Sequence, residues 1–127
     1  MAERVSRVEE SIGSIRGLWR EESVSQQGQH FSLNEAGLSV KPKQPDGPPV
    51  WLAGEVPRAV RRAARFADAW LPLPASTRQE TGKLRELYCQ ERANAGLATP
   101  DEVPIIRECY VGSSSKSALA DVRGASS

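Results

Sequence analysis

Ala53 and Gly54 form the turn of this chain whose residue types best suit chemistry. They sit within residues 48–74, PPVWLAGEVPRAVRRAARFADAWLPLP, between a short apolar run and a helix-like segment opened by Pro57. A strand that turns into a helix N-terminus gathers free backbone N–H groups and the positive end of the helix dipole, and together these hold an anion. Gly54 lacks a β-carbon, so it permits a sharp turn and would let a phosphate approach the backbone. A tight strand-to-helix turn with no ligand explains the same glycine, and the residues alone leave both readings open. Glu55 speaks against an anion, because a carboxylate beside a phosphate repels it unless it points away.

No other constellation competes. No Ser/His/Asp, Cys/His or carboxylate pair assembles, so no catalytic residue is assigned. With a lone His30 and no Cys/His cluster, no metal site is expected. His30 reads as a surface residue of an insertion. Arg58, Arg61, Arg62 and Arg65 line one side of the helix after Pro57 and, against sixteen acidic residues, read as a solvated face. No aromatic residues are interleaved among them to stack bases. Asp68 precedes an apolar run and should order the turn there, while Trp51 and Trp70 lie within apolar runs and are expected in the core.

Composition sets the outer bounds. A length of 127 residues fits one domain. Hydrophobic content of 39% and charged content of 26% are ordinary for a globular protein. A net charge of +1 creates no field that would recruit nucleic acid or an acidic membrane. No run approaches the roughly 20 apolar residues of a membrane span. The N-terminus, MAERVSRVEE, is charged and has no apolar signal core. Cys89 and Cys109 lack metal-ligand spacing and read as reduced thiols, so a cytoplasmic protein is expected.

The elements that would position the turn follow from periodicity. Val5, Val8, Ile12, Ile15, Leu18 and Trp19 form one stripe of a helix over 2–20. Residues 21–48 are an insertion with a loose hairpin, its strands expected around 26–31 and 37–41. Residues 49–123 read as βα units. The run 50–53 is expected to be a strand buried on both faces. Val56, Ala59, Val60, Ala63, Ala64 and Ala67 give the helix over 57–67 a narrow stripe of small residues, and 69–72 is a second strand. Ser76 or Thr77 should cap a helix over 77–95, each with Gln79 or Glu80 three residues on, and Gly96 is a good stop. Residues 104–111, PIIRECYV, read as a third strand, and Ser114 or Ser115 as the cap of a last helix. The three strands are expected to be adjacent and parallel, with helices 57–67 and 77–95 on one face.

Three motifs carry a resemblance. SIRGLW at 14–19, KPKQPDGPPVWLAG at 41–54 and AVRRAARFADAWLP at 59–72 resemble the luciferase-like monooxygenase family, as does the placement of Gly28 and Phe31 in the insertion. The likeness spans nearly the whole chain. Ala53, where relatives often carry a second glycine, and Ala69, where glycine usually follows the aspartate, depart from the pattern.

The resemblance implies a flavin- or deazaflavin-dependent oxidoreductase on a TIM barrel. Because a (β/α)8 barrel takes about 250 residues, it further implies the C-terminal portion of such a barrel, 1–127 forming a single partial domain of about three βα units. A fragment, a truncated gene product and a genuine short protein all remain open. By the same resemblance Ala53, Gly54 and Val56 contact the cofactor near its phosphate, the cofactor being reduced FMN or coenzyme F420. The reaction is either oxygen insertion at a reduced flavin or hydride transfer with a deazaflavin, on a small organic substrate. The isolated chain is expected to be inactive and to self-associate or form a homo-oligomer. A non-catalytic α/β interaction module derived from the family is the alternative.

Overall fold

The computed structural model describes residues 2–125; Met1, Ser126 and Ser127 lie outside it. The elements are α1 (Ala2–Arg20), β1 (Val24–Gln27), β2 (Ser32–Ala36), β3 (Trp51–Ala53), α2 (Pro57–Phe66), β4 (Ala69–Leu71), α3 (Arg78–Asn94) and α4 (Ser115–Ala125). β1 and β2 form an antiparallel hairpin, and β3 and β4 a separate parallel pair in which Leu52 faces Trp70. The architecture is mixed α/β, with helices at the expected places.

The hairpin is present, but its strands are displaced from those expected. Residues 28–31 form its tip, and the second strand ends at Ala36, before Gly37. Glu10 on α1 accounts for the displacement. Its carboxylate accepts hydrogen bonds from the amides of Gln29, His30 and Phe31 at 2.7–3.1 Å, which holds the tip against the helix. Buried Ser14 adds a second tie, donating to the Glu10 carbonyl and to Gln26 Oε1, each at 3.0 Å. Such long-range side-chain contacts leave no mark in local periodicity.

The main core lies between the β3–β4 pair and helices α2 and α3. Val60, Ala63, Ala64, Ala67, Trp70 and Tyr88 form it, with Leu52, Leu84 and Leu87 packed around them. The alanines let α2 lie close on the strands, as their narrow stripe requires. Thr77, not Ser76, caps α3: its side chain accepts from the Glu80 amide while Glu80 reaches back to the Thr77 amide. Gly96 follows with φ of +67°, the left-handed geometry of a helix stop. At the start of α4, Ser114 Oγ accepts from the Ser117 amide at 3.2 Å.

Two expectations fail, for one reason. β3 is not buried on both faces: Leu52 meets the core, but Trp51 is 52% exposed and Ala53 is exposed as well. Alternation along a strand sends these side chains to the sheet face opposite the helices, and nothing described covers that face. Trp51 is therefore not a core residue, whereas Trp70 is fully buried. Residues 104–111 form no strand, leaving Ile105 58% and Val111 85% exposed. A β-rich run becomes a strand by packing on a pleated, half-buried surface, and here no second layer offers one. Arg107 instead pins the run by donating to the Pro74 and Ser76 carbonyls at 3.2 and 3.4 Å.

Asp68 orders its turn as expected. Its Oδ2 accepts from the Val50 amide at 2.7 Å and from Arg16 Nη2 at 2.8 Å, joining the entry of β3, the entry of β4 and α1. Burial alone would raise the Asp68 carboxyl. The hydrogen bonds from Val50 and Arg16 and the charges of Arg16 and Arg92 outweigh it and hold the group below the ordinary aspartate value. A carboxyl depressed in the folded state contributes stability above its unfolded pKa of about 3.9 and loses it as pH falls through the folded value. The urea midpoint should therefore drop as pH is lowered below about 4, and Asp68→Asn should be less stable at neutral pH with a flatter acid limb. A full acid limb in Asp68→Asn would remove this carboxyl as the cause.

Trp70 offers a second check. Trp70→Ala empties a fully buried site and should cost about 3–5 kcal/mol. Trp70→Phe retains most of the packing but loses the indole hydrogen bond to Gly54, and should cost about 1–2 kcal/mol. Urea unfolding followed by circular dichroism measures both, and a Trp70→Phe variant as stable as the wild type would mean that the hydrogen bond contributes nothing.

Candidate functional site

β3 delivers its last residue, Ala53, to a turn over 54–56 that leads into α2. Gly54 is held at both ends of its peptide unit. Its N–H donates to the Leu71 carbonyl at 3.3 Å, extending the parallel ladder, and its carbonyl accepts from Trp70 Nε1 at 2.8 Å. A β-carbon at this position would lie 2.5 Å from Ala59 Cβ, so glycine is required for α2 to approach the strand. Packing alone thus accounts for Gly54. This strengthens the tight-turn reading without opposing a ligand.

Val56 occupies the N-cap position of α2 with extended backbone, no side-chain capping bond and half its side chain exposed. Valine cannot satisfy the first-turn amides that Ser, Thr, Asp or Asn would accept from. Pro57 follows and has no N–H, while the amides of Ala59 and Val60 both turn back to the Val56 carbonyl at 2.9 and 3.1 Å. None of the hydrogen bonds among the described residues uses the amides of Glu55 or Val56. The structure therefore brings Ala53, Gly54 and Val56 together in one turn with backbone donors to spare. Small or exposed side chains surround it, so free backbone N–H groups and open space, the two things a phosphate would need, are present there.

Glu55 does not oppose that fit. Its Oε1 accepts from Ser76 Oγ at 2.9 Å, drawing the carboxylate toward the loop that follows β4. Among the described residues three grooves border the turn, one of about 480 Å³ including Glu55, Ser76, Glu80 and Lys83. A second, of about 520 Å³, lies between α1 and the start of α2 and includes Arg4, Val5, Val56 and Arg58. The third, of about 640 Å³, lies beyond the strand ends and includes Glu55, Leu73, Pro74 and Arg107.

The arginines of α2 are not merely a solvated face. Arg61 and Arg65 both reach Glu91 of α3, at 3.1 and 2.9 Å, and Arg62 pairs with Glu9 of α1 at 3.4 Å. They clamp α2 between its neighbours while their outer parts stay in water. His30 sits on the hairpin with Nε2 2.7 Å from Ser6 Oγ of α1. Cys89 and Cys109 are free thiols. Sequence reasoning missed the contacts of Ser76, which it offered with Thr77 as one of two possible helix caps, and of Arg107, which it placed in a strand. A serine next to a better capping residue was the one available hint for the first.

The profile of luciferase-like monooxygenases matches residues 1–126. Over 71 residues the chain is 38% identical to a phthiodiolone/phenolphthiodiolone dimycocerosates ketoreductase of Mycobacterium kansasii, a stretch covering 54% of this chain and 19% of that protein. Over 89 residues it is 32% identical to an F420-dependent glucose-6-phosphate dehydrogenase of Intrasporangium calvum, covering 70% of this chain and 24% of the relative. Among solved structures, the monooxygenase RslO1 from Streptomyces bottropensis superimposes with a TM-score of 0.78 at 25% identity, over 99% of this chain and 39% of that one. An F420-dependent secondary alcohol dehydrogenase shares the fold with a TM-score of 0.70 over 84% of this chain and 32% of its own. The chain thus spans 19–24% of the length of these curated relatives. A match over residues 1–126, with a fold shared by solved relatives, places this chain in the luciferase-like monooxygenase family.

Proposed function

We propose that this chain is the portion of a luciferase-like oxidoreductase that supplies the cofactor's phosphate-binding turn, with Ala53, Gly54 and Val56 as its contacts. In this reading β3, α2, β4 and α3 belong to the C-terminal portion of a (β/α)8 barrel. The cofactor is reduced FMN or coenzyme F420, and the redox chemistry, oxygen insertion or hydride transfer, is the cofactor's own. The chain's part is to bind and orient. The observation that carries the reading is the open turn: a helix N-cap with no side-chain capping bond, two amides that no hydrogen bond among the described residues uses, and a neighbouring carboxylate tied aside by Ser76.

A second reading has one observation in its favour. The sheet face bearing Trp51 and Ala53 is exposed, as is the run over 104–111. Such a surface suits association with another polypeptide, as a non-catalytic α/β module would need.

Substitution at Gly54 cannot test the first reading cleanly, because any β-carbon there strikes Ala59. Val56 can. Val56→Asp installs a favoured N-cap and should stabilise α2 by about 0.5–1 kcal/mol, yet it sets a carboxylate where the phosphate would bind. Affinity for FMN or F420, measured by fluorescence titration, should fall roughly tenfold or more while the melting temperature holds or rises. Unchanged affinity would mean that the turn anchors nothing.

The chain by itself should show no flavin- or F420-linked turnover, because phosphate anchoring leaves the reactive ring without groups to orient it. It should also self-associate through its open sheet edges and exposed face. Light scattering after size exclusion measures the mass, and a cofactor-linked assay measures turnover. A monodisperse monomer that turns over either cofactor contradicts both statements.

A further inference from the structure

We infer that Ser76 is a positioning residue for the β3–α2 turn: it holds the Glu55 carboxylate across the strand ends and so keeps negative charge off the backbone at 54–56. The inference rests on the proposed anchoring of a cofactor phosphate there and adds what controls its strength.

Glu55 lies inside the turn, between Gly54 and Val56, so a freely rotating carboxylate would spend part of its time beside the bound anion. Ser76 prevents this by donating its hydroxyl to Glu55 Oε1 at 2.9 Å. The hydroxyl is available because Thr77 already caps α3, its side chain accepting from the Glu80 amide at 3.2 Å. A second cap at Ser76 would be redundant. Ser76 is itself held in place: its amide donates to the Leu73 carbonyl at 3.1 Å, and its carbonyl accepts from Arg107 Nη2 at 3.4 Å. The same guanidinium donates through Nη1 to the Pro74 carbonyl at 3.2 Å. Arg107 and Glu108 line the groove that Glu55 also borders. Arg107, Ser76 and Glu55 therefore form one relay across the ends of β3 and β4.

The test is a titration of the full chain with FMN, F420 and inorganic phosphate, reading affinity and the amide NMR shifts of Gly54 and Val56. Wild type, Ser76→Ala, Glu55→Gln and the double variant are compared, with Ser76→Thr as the conservative rescue. Ser76→Ala should weaken FMN and phosphate binding in parallel, by roughly threefold to tenfold at low salt. The loss should vanish in the Glu55→Gln background and be restored by Ser76→Thr. Arg107→Ala should give a smaller loss of the same sign. Binding unchanged in Ser76→Ala, or a loss that persists with Glu55→Gln, would overturn the positioning role while leaving phosphate anchoring intact. Gly54 and Val56 amides that respond to none of the three ligands in the wild type would overturn the anchoring and, with it, this role.

Discussion

The hydrogen bond from the Trp70 indole to the Gly54 carbonyl joins the core to the turn, and the rest of the site depends on it. A fully buried indole must find an acceptor for its N–H, since an unpaired donor there would forfeit its hydration without return. Gly54 supplies the acceptor, and its own N–H is taken up by the Leu71 carbonyl. The backbone is thus fixed on both sides of Gly54 by groups of β4. The amides that no hydrogen bond among the described residues uses begin one residue later, at Glu55 and Val56. The small residues of α2 belong to the same constraint: with Ala59 against Gly54 and Ala63 and Ala64 fully buried, the helix sits close enough for the ring to reach.

The far end of α2 has its own solution. Helix C-termini leave carbonyls without intrahelical partners, and a glycine in left-handed geometry often closes them. Here Ala67 is extended, and arginines from two neighbours take up the carbonyls. Arg92 of α3 reaches those of Ala64 and Ala67 at 3.4 and 3.3 Å, and Arg16 of α1 reaches that of Phe66 at 3.2 Å. Arg16 also binds Asp68, which in turn holds the Val50 amide at the entry of β3. The end of α2 is therefore where α1, α3 and both strands meet. The Ala-Ala-Arg-x-Ala-Asp segment reads, in physical terms, as a close-packing face followed by a carboxylate that gathers donors.

Much of this was legible in the sequence because it is local. Periodic apolar residues gave α1, α2 and α3 almost to the residue, and the Thr77–Glu80 spacing marked the cap that forms. The β3–α2–β4 unit follows from Gly54, Pro57 and the alanine stripe. The hairpin's register was not legible, because it is set by Glu10 and Ser14 from another element. Nor was the fate of Trp51 or of residues 104–111. An apolar run reports that burial is wanted; whether a second layer is there to provide it is not written in the run. For the site, residue type located the turn, but the indole bond and the Ser76–Glu55 contact join residues 16 and 21 positions apart, beyond any local pattern.

The turn and the redox chemistry proposed for the family make different demands on the chain. Among the described residues, the hydrogen bonds that hold Gly54, Glu55 and Val56 come from α2, β4 or the loop that follows it, so the anion-holding geometry proposed for this turn draws on one βα unit and the next strand. Orienting a flavin or deazaflavin ring is a non-local task, because such sites draw on loops at the ends of many strands. The exposed face carrying Trp51 and Ala53 marks where this unit's own contacts end. A phosphate is a compact charge that one helix N-terminus can hold, while a planar ring needs walls on both sides. In the proposed reading, affinity for the phosphate end is thus a property this unit can keep by itself, and turnover is a property it can only share.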